Sequence, residues 1–185
     1  IVYGIDATLA MLEQLPNSIN RANVINMKAE KMPYLDKVFD VTYWRSVIMH
    51  IVDPQKVIDE AFRVTKNKGR VFLVEPVELS NHARDFIFAG LNLKDDTHHY
   101  WFTVKDLYNR LKKAGYKNLK YTTYLEPMIF SDWMAGGAVG QAKKNKVWKF
   151  FYNAPEKYKK YFNIKFSKND FTFDIKMIIM KGEKI

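Results

Sequence analysis

The chain has no cysteine among its 185 residues, so disulfides and thiolate metal sites are excluded, and the composition is compatible with a reducing cytosol. It also has no apolar run of about 18 or more residues, the length needed for a membrane-spanning helix. No internal repeat or low-complexity linker divides it, and its length fits one domain with a sizeable core. Acidic residues are scarce in one half only. Residues 1–92 carry 11 basic and 11 acidic side chains, whereas residues 93–185 carry 19 and 9, so the whole excess of +10 lies in the second half. Nine lysines fall between Lys143 and Lys168 against Glu156 alone, and none of the cations there is an arginine. Such a face can meet nucleic acid or an acidic partner, but without arginine it lacks the bidentate fork used on phosphates and guanine. A solvated lysine surface is the plainer reading.

What is present is a rhythm of short apolar runs alternating with polar or helical segments, as in a parallel α/β sheet. Ile1–Asp6 reads as a buried strand. Thr8 is a candidate N-cap for a short helix with Met11, Leu12 and Leu15 on its apolar face. Strands are expected at 24–27, 39–43 and 70–74, with Lys66–Gly69 as the turn before the last. Helix 54–64 places Val57, Ile58, Ala61 and Phe62 on one stripe. Helix 104–114 has the clearest ends, with Thr103 and Asp106 forming a capping box and Gly115 closing it. A strand at 119–124 follows. The last strand, 171–180, alternates Phe171, Phe173, Ile175, Met177 and Ile179 with mostly polar neighbours, and this suits an antiparallel edge. Segments 80–93 and 130–162 read as inserted helices. In the second, Val147, Trp148, Phe151 and Ala154 form one stripe, and Pro155 opens another carrying Tyr158, Tyr161 and Phe162.

In sequence order, V-Y-G-I-D-A, K-A-E-K-M-P-Y, F-D-V-T-Y-W-R-S-V-I-M-H-I-V-D-P and R-V-T-K-N-K-G-R-V-F-L-V-E-P resemble successive strand ends of class I S-adenosylmethionine-dependent methyltransferases. H-H-Y-W-F-T-V-K-D-L-Y-N-R-L-K-K-A-G-Y and the tail F-D-I-K-M-I-I-M-K-G-E-K resemble that family's late helix and last strand. The ubiquinone-biosynthesis-type and related small-molecule enzymes are the most similar branch. The resemblance implies a Rossmann-like α/β fold, a mostly parallel sheet with an antiparallel last strand and helical lid insertions. It implies one domain over 1–185, with 1–79 as the cofactor half and 80–101 and 130–162 as lid or substrate insertions.

It also implies S-adenosyl-L-methionine as cofactor. Asp6 would accept the ribose hydroxyls, although it could equally cap the following helix. Ala7 and Met11 would lie against the adenine. Ala29 and Glu30 would border its other edge, or Glu30 would be a solvated loop residue. Arg45 and Ser46 leave the fourth family strand toward the cofactor's amino acid, although Arg45 could instead form a structural salt bridge. His98 and His50 are candidate proton acceptors, with packing or hydrogen-bonding roles as the alternative. His99, Tyr100 and Trp101 would line the substrate side, or anchor an aromatic lid. His98-His99 without carboxylate or cysteine partners is a poor zinc site, so no metal is expected.

The sequence departs from the family in two places. Lys28 stands where an acidic residue is expected before Ala29, and the glycine loop that follows the family's first strand is absent, Gly136-Gly137 having no strand before it. Because that strand is central, roughly 40–70 residues, enough for a helix, the strand and its crossover, are expected upstream. The function implied is methyl transfer to a small molecule. The alternatives are a non-catalytic interaction module of the same fold, and a methyltransferase acting on RNA through the lysine-rich face. The acceptor and the oligomeric state are not written in the sequence.

Overall fold

A computed structural model describes residues 1–16, 23–135 and 139–185. Two sheets are present. Strands β1 (Gly4–Asp6) and β2 (Val24–Asn26) pair in parallel, with helix α1 (Leu9–Glu13) between them in sequence. The larger sheet contains β3 (Phe39–Arg45), β4 (Thr65–Glu78), β8 (Phe171–Glu183) and β6 (Lys117–Ile129), side by side in that order. β3 is parallel to β4, and β8 runs antiparallel to both neighbours. Two short strands, β5 (Phe102–Thr103) and β7 (Lys165–Phe166), add to β4 and β8. No ladder joins β1 to β3 among the described residues.

Helix α2 (Pro54–Val64) spans the residues expected from its stripe. Pro54 starts it where a missing N–H costs nothing, and Val57, Ile58, Ala61 and Val64 are buried. Its last carbonyls meet a cation, since the Lys184 ammonium donates to the Phe62 and Arg63 carbonyls. Helix α4 (Val104–Ala114) carries the full capping box: the Asp106 N–H donates to the Thr103 hydroxyl at 3.2 Å, and the Thr103 N–H to the Asp106 carboxylate at 2.9 Å. Gly115 closes it at φ 110°, a left-handed conformation that glycine adopts without strain. Helix α3 (Asn81–Asn92) is capped by Ser80. Helices α5 (Phe130–Ala135), α6 (Gln141–Tyr152) and α7 (Glu156–Tyr161) supply the rings of an aromatic core in which Phe151 meets Phe86, Trp133, Phe171 and Phe173.

The structure corrects several strand expectations. β4 starts at Thr65, and the expected Lys66–Gly69 turn bulges out within it: the register moves from Phe39 opposite Thr65 to Val41 opposite Arg70. The last strand is not an edge; β8 lies between β4 and β6. Its alternation has another cause. Phe171, Phe173, Ile175 and Met177 are buried, but then Ile178 and Met180 are, while Ile179 is 40% exposed. The register is continuous through this point, so the strand does not flip. Instead, different faces are covered at its two ends: the odd-numbered face by the α5 and α6 rings, the even-numbered face where Val71, Leu73 and Tyr116 pack. Alternation therefore reports which side is dry, not which strand is outermost. Gly136 and Gly137 lie outside the described residues.

Candidate active site at the strand ends

The exit of β3 is the most tightly built part of the site. The Ser46 N–H extends the ladder by donating to the Val74 carbonyl at 2.9 Å, and Ser46 itself turns left-handed at φ 51°. That conformation is uncommon for a residue with a side chain and costs energy unless its surroundings hold it. They do so through Glu75. One oxygen of its fully buried carboxyl group accepts the Val47 and Ile48 N–H groups at 2.9 and 3.2 Å. The other oxygen has no partner among the described residues. Burial pushes this carboxyl group up to about 7, against the lowering effect of the two N–H donors. Glu78, also buried, accepts from the Tyr161 hydroxyl at 2.8 Å, and burial raises it as well.

Beyond Ser46 the chain makes a 3-10 turn over Ile48–His50, and the segment after α3 is fastened to it. The His99 and Tyr100 N–H groups both donate to the Met49 carbonyl, at 2.9 and 3.2 Å. The Tyr100 hydroxyl donates to the Val52 carbonyl at 2.9 Å, and its ring stacks on Phe102. The result is a contact that sequence order does not suggest: the His50 and His98 rings lie 4.5 Å apart, centroid to centroid. Nδ1 of His50 is 3.0 Å from the Thr97 hydroxyl, and Nδ1 of His98 is 2.9 Å from the Asp95 carbonyl. Burial, followed by the neighbouring His98, lowers the His50 pKa. Burial would raise the Asp95 carboxyl group, but Thr97 and the two histidines outweigh it and hold it low.

The remaining expected residues are more dispersed. Asp6 ends β1, where one carboxylate oxygen accepts the Thr8 N–H at 2.7 Å, so the capping role is occupied. Ala7 and Met11 are exposed just beyond it, Met11 by 55%. The Asp6 carbonyl accepts from the Met27 N–H and the Asn26 amide, fastening the two strand ends together. Ala29 packs partly against the core, while Lys28 is exposed. Glu30 has one buried carboxylate oxygen without a partner among the described residues. The Arg45 side chain crosses the open sheet face to Glu126 at 2.6 Å, leaving the backbone of Arg45 and Ser46 at the strand end. His99 is exposed, and Trp101 is buried with its indole N–H unpartnered among the described residues.

Sequence reasoning missed Glu75 and Asp95. Glu75 was legible as a lone acid ending an apolar central strand. Asp95 had only its i, i+3 spacing to His98 to mark it.

A model for the methyltransferase domain matches residues 1–73. The uncharacterized methyltransferase YcgJ of Bacillus subtilis is 24% identical over 98% of this chain and 75% of its own length. Its crystal structure superposes with a TM-score of 0.87 over 98% of this chain and 81% of that one. A Bacillus halodurans protein assigned as a methyltransferase is 28% identical in its crystal structure, with a TM-score of 0.79 over 85% of this chain and 75% of that one. The ubiquinone/menaquinone biosynthesis C-methyltransferase UbiE of Ruegeria is 26% identical over 50% of this chain and 45% of its own. This strand order, the domain match over residues 1–73 and these relatives make the chain similar to the class I S-adenosylmethionine-dependent methyltransferases.

Proposed function

We propose that the protein transfers the methyl group of S-adenosyl-L-methionine to a small-molecule acceptor. The observation that carries this reading is the pairing of two half-sites at strand ends: Asp6 after β1, and the Glu75-held turn after β3 against which the His98–Trp101 segment is clamped. The cofactor, when bound, supplies an activated methyl on a sulfonium, so the protein's work is alignment and exclusion of water. The residues present fit it. With one Asp6 carboxylate oxygen on the Thr8 N–H, the second can take a ribose hydroxyl, Ala7 and Met11 leave open apolar surface for a base, and the buried orphan oxygen of Glu30 offers an acceptor beside Ala29. The turned backbone at Arg45-Ser46 faces the amino-acid end. His98 or His50 takes the acceptor's proton, and His99, Tyr100 and Trp101 shape the acceptor side.

Among the described residues no ladder joins β1 to β3, and this favours a second requirement, that a further strand lie between them before the cofactor binds tightly. Calorimetric titration of S-adenosylhomocysteine into this chain and into its full gene product tests both points. Saturable binding that weakens at least tenfold in Asp6→Ala supports the site. Binding by the full product alone supports the extra strand. Absence of binding by both, with both folded, replaces methyl transfer by a non-catalytic interaction role. No helix among the described residues is long and apolar enough to cross a membrane.

A further inference from the structure

The two histidines singled out as proton acceptors do not stand alone. His50, Asp95 and His98 each bring a potential ligand atom within 4.8 Å of the others, and all three are half-buried. They come from two segments, the 3-10 turn after β3 and the loop after α3, which the bonds to the Met49 carbonyl hold together. This is a different set from the adjacent His98-His99 pair of the sequence; His99 is exposed and contributes its backbone N–H to the clamp.

The hydrogen bonds engage Nδ1 of each ring and so leave Nε2 for a metal. A carbonyl can only accept, so the 2.9 Å contact to the Asp95 carbonyl places an N–H on Nδ1 of His98. In the neutral ring the lone pair is then on Nε2. Donation of the second ring N–H to a carbonyl is the usual outer support of a metal-ligating histidine. On His50 the Thr97 hydroxyl can hold Nδ1 in the same way. One Asp95 oxygen accepts the Thr97 N–H at 2.9 Å, which fixes the carboxylate and leaves the other oxygen available. Bonds of about 2.0–2.2 Å in a tetrahedral site would place ligand atoms about 3.3 Å apart, so a bound ion would draw the three groups, now within 4.8 Å of one another, closer together.

We propose that His50, Asp95 and His98 form a binding site for a divalent transition-metal ion of the zinc class, with coordination positions left for an oxygen or nitrogen of the methyl acceptor. Two imidazoles and one carboxylate with open positions are a donor set that holds zinc or ferrous iron in enzymes, and hard oxygen-seeking ions such as magnesium would be poorly served. The acceptor's place rests on the methyl-transfer reading above; the metal site itself does not. A bound ion would take over from the histidines the task of making the acceptor a better nucleophile.

The test is titration of cobalt(II) into the chelator-treated 185-residue chain, followed by visible absorption, with zinc(II) added afterwards in competition. The expected result is a visible d–d band saturating at one equivalent and abolished by zinc. His98→Ala and the near-isosteric Asp95→Asn should weaken binding at least tenfold, while His82→Ala, on the exposed start of α3, leaves it unchanged. Circular dichroism establishes that each variant is folded; should His98→Ala fail to fold, Asp95→Asn decides. Absence of a saturable band in the wild type, or equal binding by the wild type and Asp95→Asn, overturns the proposal. No cofactor or acceptor is present in these titrations, so a negative result leaves the methyl-transfer reading standing, and failure of cofactor binding leaves this one standing.

Discussion

The β1–β2 pair and the larger sheet are built on different terms. Among the described residues the first buried apolar side chain is Trp44; all the rest of the core lies after it. The larger sheet is held by burial of Leu73, Ile87, Phe151, Phe173 and Met180, all at 0% exposure. The smaller pair is held by contacts at its margin: the Tyr3, Tyr34 and Phe39 rings, and Arg63, which donates to the Met32 and Tyr34 carbonyls and to Asp36 and Glu60. One region makes the fold stable, and the other carries half of the proposed cofactor site. Binding surfaces are commonly drawn from the less stable parts of a protein, because a ligand can order them when it arrives.

The comparison can be broken most forcefully in the core. Phe151→Ala removes a ring packed against five others and should cost about 3–5 kcal/mol, lowering the urea midpoint of the whole molecule. A loss under about 1 kcal/mol would mean that the aromatic core is not what holds the sheet.

A smaller effect tests the junction at Glu75. Its carboxyl group sits at about 7 in the folded protein against 4.5 when exposed, so the folded state binds that proton more tightly. Its contribution is complete below about pH 4.5 and is lost as the pH rises through about 7, a change of roughly 3 kcal/mol. Urea midpoints measured at pH 5 and pH 8 should therefore fall more steeply in the wild type than in Glu75→Gln. Equal slopes would show that water reaches the carboxyl group through the turn.

The smallest effect sharpens the contrast itself. Arg63→Ala should speed amide hydrogen exchange across residues 24–36 by an amount equivalent to about 2 kcal/mol, leaving exchange in 171–183 unchanged. Equal acceleration in both segments would make the two regions one cooperative unit.

How far the sequence could be read follows the same division. α2 and α4 were legible to their end residues, because caps, a proline and an apolar stripe act within a few positions. Arg45 was not: two readings were open, and only the approach of Glu126 on β6 shows where the side chain goes. The burial pattern of β8 misled because alternation records a covered face, and α5 and α6 cover a different end of it from Val71, Leu73 and Tyr116.

By itself, the sequence determined the order of the main strands and helices, the bounds of α2 and α4 and the likeness to a methyltransferase family. These depend on local propensities and on patterns that neighbouring residues write together. Only the tertiary structure decided that Glu75 holds the Ser46 turn and that His50 meets His98 and Asp95 across more than forty residues of chain. Those meetings depend on how the sheet and its helices pack, and no local rule of sequence carries that distance.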